Sequence, residues 1–472
     1  MLVIKRLMRR WHEWLGEHPT TRRWLNVLRL GLFQFGMGLA LAPLTGTLNR
    51  VLIDEMGIQA ILVGFLLAIH YFVSPVRAMI GFQSDKDRSV GHWRTPYVML
   101  GAMLTFGGLV CAPFTLVLLS GDGMMRLPFW LILIICTAIF LAYGIGANIV
   151  ETIYLALVSD ITPPRERGKV LAVLWVMLVL GTVFSSIVLS WLLEEYNSMK
   201  LIQVMQGSAV VFMLLTFLAL FGQERLNPDG TVVSHTDETR IRLTLWESVK
   251  LLAKQRGLRD LFIVLFIATT AFATHDVLLE PYGGQVLNMS VAATTQLTAL
   301  WGVAMLVSIT ISGWLLWKGR SPLTLIIGGC VLGMAGFLTV SLASSEAHVN
   351  PFRGGVWLIG MGRGMFIVAS VALVMSLTDV GHAGLFLGLW GVMQAVAQGF
   401  GTMGGSLLRD VAYWQTQNVA LGYTVVYATS FVFLMVSLAL IVALRLDRQL
   451  RSGTVRSPWS GLQDIPADQI AF

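Results

Sequence analysis

Twelve long apolar runs constrain this chain more than any other feature. They fall near residues 28–50, 58–82, 96–119, 128–158, 168–193, 201–222, 259–282, 291–317, 322–344, 354–379, 383–408 and 419–444. A helix needs roughly 20 apolar residues to cross a bilayer. In hydrocarbon only helices and closed barrels satisfy every backbone group, and runs this long are helices. Composition agrees: of 472 residues, 56% are hydrophobic and 12% charged, where a soluble chain carries about a quarter charged. The expected fold is all-α and polytopic, with twelve transmembrane helices. The fourth and eleventh runs look long for a single crossing.

A net charge of +7 invites a nucleic-acid reading. The placement of the charges argues against it. With the N-terminus inside, only Arg50, Arg126, Lys200, Arg353 and Arg409 fall in outer loops, and Arg77 and Arg363 in spans. The remainder of the 33 Lys+Arg face the cytoplasm, which is the positive-inside bias and puts both termini there. The excess charge is topological, with some attraction to anionic membrane lipid. In residues 1–27, Ile4, Leu7, Trp11, Trp14 and Leu15 recur at helical spacing, with Lys5, Arg6, Arg9 and Arg10 between them. That pattern predicts a short helix lying in the membrane interface. No apolar signal-peptide core with a small-residue cleavage site is evident there. Cys111, Cys136 and Cys330 fall in apolar runs without metal-ligand spacing, so free thiols are expected.

The polar stretch 223–258 divides the chain, and its second half, Leu243 to Leu258, reads as an amphipathic surface helix. The expected units are a segment 1–27, six helices in 28–222, the loop 223–258, six helices in 259–445 and a tail 446–472. The halves echo one another. Span 4 ends Leu157-Val158-Ser159-Asp160 and span 10 ends Ser376-Leu377-Thr378-Asp379. Between spans 2 and 3 stands Gly81-Phe82-Gln83-Ser84-Asp85-Lys86-Asp87-Arg88. It resembles the loop pattern of major facilitator transporters, although the usual basic continuation is displaced to Arg88 and Arg94. The resemblance implies two parallel six-helix pseudo-repeats around a cavity. It also implies a cytoplasmic clamp of helix ends by Gly81, Asp85, Arg88, Asp160, Arg167 and Asp379.

Charges inside spans cost roughly 2.5–3.5 kcal/mol each on insertion scales and persist when paired or lining a polar cavity. Here they are Arg77, one turn beyond Ser74 and two beyond His70; Glu151 near Asn148; Asp276 and Glu280; and Arg363 within Gly360-Met361-Gly362-Arg363-Gly364. Asp276 and Glu280, four residues apart, are expected on one helix face. Some acids and arginines are expected to pair across the cavity, either as fixed structural contacts or as ligand contacts. The run Glu280-Pro281-Tyr282-Gly283-Gly284 either breaks span 7 there or ends it, and the first case would put Glu280 and Tyr282 at an irregular site. Glycine-rich stretches around Gly329, Gly333 and Gly362 predict close helix approach.

Three segments are more specific: Leu30-Gly31-Leu32-Phe33-Gln34-Phe35-Gly36 with Gly46-Thr47-Leu48-Asn49-Arg50-Val51, then Ser74-Pro75-Val76-Arg77 to Gly81, and Asp276-Val277-Leu278-Leu279-Glu280-Pro281-Tyr282-Gly283-Gly284. Together they resemble the PucC, or bacteriochlorophyll delivery, family over essentially all spans. His275 departs from the glutamine expected there. The resemblance implies a facilitator-like fold and a role in assembling light-harvesting complexes, with bacteriochlorophyll or chlorophyll as cargo. The implied partners are antenna polypeptides and (bacterio)chlorophyll synthase, in a photosynthetic or cytoplasmic membrane. A pigment magnesium needs one axial ligand. His70 and His275 are the imidazoles within spans, each either that ligand or a hydrogen-bonded structural residue. No nucleotide loop, nucleophile motif or protein-bound metal cluster is present, so an enzyme is not expected. Two other readings stay open: a proton-coupled small-solute transporter using Glu151, Asp276 or Glu280, and a scaffold that binds antenna helices without touching pigment.

Overall fold

The structure, a computed structural model, describes residues 19–74, 94–120, 127–162, 166–223, 250, 256–346, 348–377 and 383–451. Among them helix is the only regular structure. Twelve long segments are labelled α1 to α12. The first six are α1 (Pro19–Ala42), α2 (Ala60–Phe72), α3 (Thr95–Cys111), α4 (Phe129–Ile161), α5 (Arg167–Leu192) and α6 (Ser198–Leu220). The others are α7 (Arg256–Ala273), α8 (Val291–Trp317), α9 (Pro322–Glu346), α10 (Val349–Ser376), α11 (Ala383–Thr416) and α12 (Val419–Ala443).

Polar residues set where helices begin. The side chains of Asn197, Ser290 and Asn418 accept from the amides of Met199, Ala293 and Leu421 at 3.0, 3.3 and 3.1 Å, capping α6, α8 and α12. Pro96 and Pro322 sit in first turns, where a missing donor costs nothing. Nine helical spans among the described residues are long and apolar enough to cross a membrane. The chain is thus an all-helical, multi-pass integral membrane protein. Of the rest, α2 is apolar but only 13 residues long as described, α7 opens with Arg256, Arg259 and Asp260, and α11 carries Arg409 and Asp410. Helices α4 and α11 are indeed long, at 33 and 34 residues. At 1.5 Å per residue they exceed a hydrocarbon core of roughly 30 Å.

Packing follows a pattern. In the first group α1 meets α5 and α6, α3 meets α4 and α6, and α2 meets α4. In the second, α7 meets α11 and α12, α9 meets α10 and α12, and α8 meets α10. Each of these first-group contacts has its counterpart six helices on, while the second group adds α11 on α12 and α10 on α11. The groups join along α2 with α11 and α5 with α8. The expected glycine contact is present: a Cβ on Gly329 would lie 2.8 Å from the Gly362 carbonyl oxygen, holding α9 on α10. All three cysteines are free.

Several expected features lie outside the described residues: the interfacial helix, most of the central loop, Arg77, and the clamp residues Gly81, Asp85, Arg88 and Asp379. Asp160 and Arg167 stand at the end of α4 and the start of α5, and their side chains are likewise outside the description. Beside them, Arg23 of α1 pairs with Glu166 at 2.8 Å, an exposed contact of little energetic weight.

Candidate functional site

The first apolar run is not one regular helix. Pro43 has no backbone donor, so the four-residue ladder fails there. The chain opens into a wide π turn, Pro43–Thr47, in which the Leu48 amide bonds back to the Pro43 carbonyl. Leu48–Arg50 follows, then a second wide turn, Val51–Glu55, closed by Met56 N on Val51 O at 3.0 Å. Each wide turn takes up an extra residue and rotates what comes after it. Thr47, Asn49 and Arg50 thereby reach the second helix group.

The seventh run is broken as well, but not where the proline and glycines suggest. Helix α7 stops at Ala273, residues 274–278 form turns, and a short helix, Leu279–Gln285, contains Glu280-Pro281-Tyr282-Gly283-Gly284. Pro281 lies in the first turn of that helix, where amide donors have no intrahelical partner anyway. The break therefore precedes the proline. It also separates Asp276 from Glu280, which do not share a helix face: Asp276 pairs with α10 and Glu280 turns toward the first run and α8.

Two side chains complete the broken backbone. Arg363 of α10 donates to the Phe272 carbonyl at 3.2 Å, because the Asp276 amide bonds Ala273 instead. Asn49 of the first run donates to the Val277 carbonyl at 2.8 Å, the acceptor that an amide at position 281 would have served. The two specific sequence segments thus meet in space. Gly46 lets them touch, since a Cβ there would fall 2.3 Å from Glu280 Oε1. Thr47 and Thr295 share a hydroxyl hydrogen bond at 3.2 Å. Glu280 is 2% exposed, and its Oε1 accepts from the Thr298 hydroxyl at 2.6 Å.

A polar network closes this end of the bundle. Arg50 pairs with Asp54 at 3.0 Å and Glu55 at 2.7 Å, and donates to the Met289 carbonyl at 3.0 Å. The Gln285 amide donates to the Ile53 carbonyl at 3.0 Å, while its oxygen accepts from Arg409 at 2.5 Å and from Tyr423 at 2.8 Å. Arg409 pairs with Asp410 at 2.8 Å, and Asp410 accepts the Ile61 amide of α2 at 2.8 Å. Arg50 and Arg409, expected in outer loops, are buried in helices. Their partners are what allow those charges at such depth. An Asn49→Leu change should orphan the Val277 carbonyl and cost about 1–3 kcal/mol. Thermal unfolding in detergent measures it; an unchanged midpoint would mean that another donor replaces Asn49.

The other expected residues form two clusters. In the second group Arg363 pairs closely with Asp276 and lies 5.3 Å from the Trp301 ring. This ion pair joins two elements of one group. His275 is 1% exposed, packed against Phe337 and Tyr427. Tyr282 is equally enclosed, stacked on Phe352 at 4.7 Å and donating to the Val340 carbonyl at 3.3 Å. In the first group His70 is half-buried near the end of α2. Its ring lies 3.7 Å from that of Tyr71 and 6.0 Å from that of Tyr143. Asn148 ties α4 to α2 by donating to the His70 carbonyl at 2.8 Å. Glu151 lies within electrostatic reach of Tyr143, and Tyr71 within reach of Arg363.

A family model described as "PUCC protein" matches residues 47–449. The chain belongs to the PucC family. An uncharacterized protein in the puhA-bchM intergenic region of Rhodobacter capsulatus is 35% identical over 448 residues, covering 93% of each chain. Protein PucC of Cereibacter sphaeroides is 35% identical over 425 residues, 89% of this chain and 92% of the relative. Among solved structures, a D-xylose-proton symporter matches with a TM-score of 0.68 at 14% identity, over 88% of this chain and 96% of its own. That likeness gives this PucC-family chain a major facilitator-like fold. Sequence reasoning missed Gln285, Thr298, Arg409, Asp410 and Tyr423. The one available signal was the Arg409-Asp410 dipeptide, which a span boundary set at 408 left in a loop.

Proposed function

We propose that the chain is a membrane assembly factor for light-harvesting complexes, one that binds (bacterio)chlorophyll and delivers it to antenna apoproteins. The observation that carries this reading is membership of the PucC family, on segments that here build one joint between two helix groups. The repeated contact pattern supports twelve spans in two six-helix repeats, 28–222 and 259–445. Both termini are then cytoplasmic, with 1–27, 223–258 and 446–472 on that side, and the closed joint faces the opposite side. Pigment would enter from lipid between helices rather than across the membrane. Antenna polypeptides are the partners, with (bacterio)chlorophyll synthase as the source of pigment. The protein itself catalyses nothing in this scheme.

Of the two span imidazoles, His70 fits an axial ligand better. Its Nδ1 lies 2.6 Å from the Leu67 carbonyl, which can only accept. That bond places the proton on Nδ1 and makes Nε2 the lone-pair nitrogen, the form that ligates metals. The flat rings of Tyr71 and Tyr143 lie beside it. His275 is sealed among aromatic side chains and serves packing. The test is the absorption spectrum of protein purified in mild detergent, with pigment extracted and counted. A stoichiometric red band should be present, lost or shifted in His70→Leu and kept in His275→Gln. No pigment in the purified protein would move the reading to a scaffold that never touches it. A band indifferent to His70 would remove this ligand and keep the function.

A further inference from the structure

We propose that Glu280 is a proton-binding site of the closed joint: its carboxyl group carries a proton while the two helix groups are engaged at that end, and releases it when they separate. The inference does not rest on pigment. The joint leaves the Glu280 carboxyl group short of donors. Glu280 Oε1 accepts one hydrogen bond, from Thr298, and Oε2 is buried with none. On the facing segment Asn49 Oδ1 is also buried without a donor. An ionised carboxylate has about four lone-pair sites to satisfy and no hydrogen to give. A protonated one needs less, and the buried donor still unmet on the facing segment, Arg50 Nε, belongs to a guanidinium already held by two acids.

Charge points the same way. On the first run Arg50 lies within electrostatic reach of Glu280, and it is already shared by Asp54 and Glu55. α8 contributes Thr298 and has no ionisable side chain. α12 sets the neutral phenols Tyr423 and Tyr427 against the neighbouring Tyr282, and on α11 Arg409 and Asp410 pair with each other. An ionised Glu280 would be a third acid on one arginine, without water. When Gly46 draws away from Glu280, the carboxyl meets water and its O–H proton passes to it. Raising the pH on that side should therefore favour separation.

Infrared difference spectroscopy tests the first part. The purified wild type should show the carbonyl stretch of a protonated carboxyl group, lost in Glu280→Gln. Thr298→Ala, which removes the hydrogen bond to that carbonyl, should move the band to higher frequency. A wild-type spectrum matching that of Glu280→Gln would overturn the site. For the second part, spin labels at Gln59→Cys and Gln415→Cys, in a Cys111→Ser chain, report the separation of α2 from α11. Distances should lengthen as pH rises in the wild type and stay short at every pH in Glu280→Gln. A distance independent of pH in the wild type, or equally pH-dependent in Glu280→Gln, would overturn the coupling. Neither readout needs pigment, so failure here leaves the assembly reading standing, and failure there leaves this one.

Discussion

Gly181→Val should prevent the chain from accumulating as folded protein, while Gly207→Val should be nearly silent. Helices α1 and α5 touch backbone to backbone through two glycines. A Cβ on Gly181 would lie 2.1 Å from the Phe35 carbonyl oxygen, and one on Gly38 would lie 2.0 Å from that of Leu178. Neither neighbour is a side-chain tip that can swing aside. Overpacking costs about 1–3 kcal/mol where a core can adjust, and occasionally more. Two rigid backbones place this site at the top of that range. The effect also spreads, because α1 leads into the wide turns that aim Asn49 and Arg50, and the Ser185 hydroxyl donates across the same contact to the Leu39 carbonyl at 2.8 Å. Gly207 of α6 has nothing within 4 Å of a built Cβ and controls for valine in a helix. Size-exclusion profiles and thermal midpoints in detergent decide it. Equal behaviour of the two variants would mean that α1 and α5 are not in contact.

Arg409→Met should be the most damaging change at the closed joint, at about 3–5 kcal/mol, the usual cost of stripping one partner from a buried ion pair. Asp410 is 1% exposed and would be left with only the Ile61 amide to hold it. Gln285 would lose one of its two donors. A second change, Asp410→Asn, keeps an acceptor for Ile61 and removes the stranded charge. The double variant Arg409→Met/Asp410→Asn should therefore be more stable than Arg409→Met alone. Thermal unfolding of the four chains of this cycle measures the coupling. A double variant as unstable as the single one would show that the arginine acts through packing on Tyr413 and Tyr423, whose rings lie 5.3 and 5.2 Å from it, rather than through charge.

The class of fold was legible because bilayer thickness writes itself into run length. Membership of the family was legible in short segments such as Gly46 to Val51. Helix breaks were only half legible. Pro281 announced a disturbance in the seventh run, but its amide-free first turn is a comfortable place for proline, so the disturbance fell on residues 274–278. Pro43 produced a wide turn that apolar periodicity does not register. Pairing was the least legible. Asp276 and Glu280 stand at a helical repeat in the sequence, yet a break between them sends one to Arg363 and the other to Thr298. Arg50 and Arg409 looked like loop residues because hydropathy sees their charge and not Asp54, Glu55, Asp410 and Gln285 arriving from elsewhere.

The Asn49 contact bears on how such a protein is made. In hydrocarbon an unmet carbonyl is worth several kcal/mol, and the broken seventh run leaves one at Val277 whose donor stands 228 residues earlier. Gln285 likewise gives its hydrogen to Ile53, 232 residues earlier. The second helix group is therefore not a finished folding unit. Synthesis proceeds from the N-terminus, so Asn49 and Ile53 are in the membrane before the segment that depends on them leaves the ribosome. The later half is born onto a template already in place, and the order of manufacture matches the order in which its backbone can be satisfied.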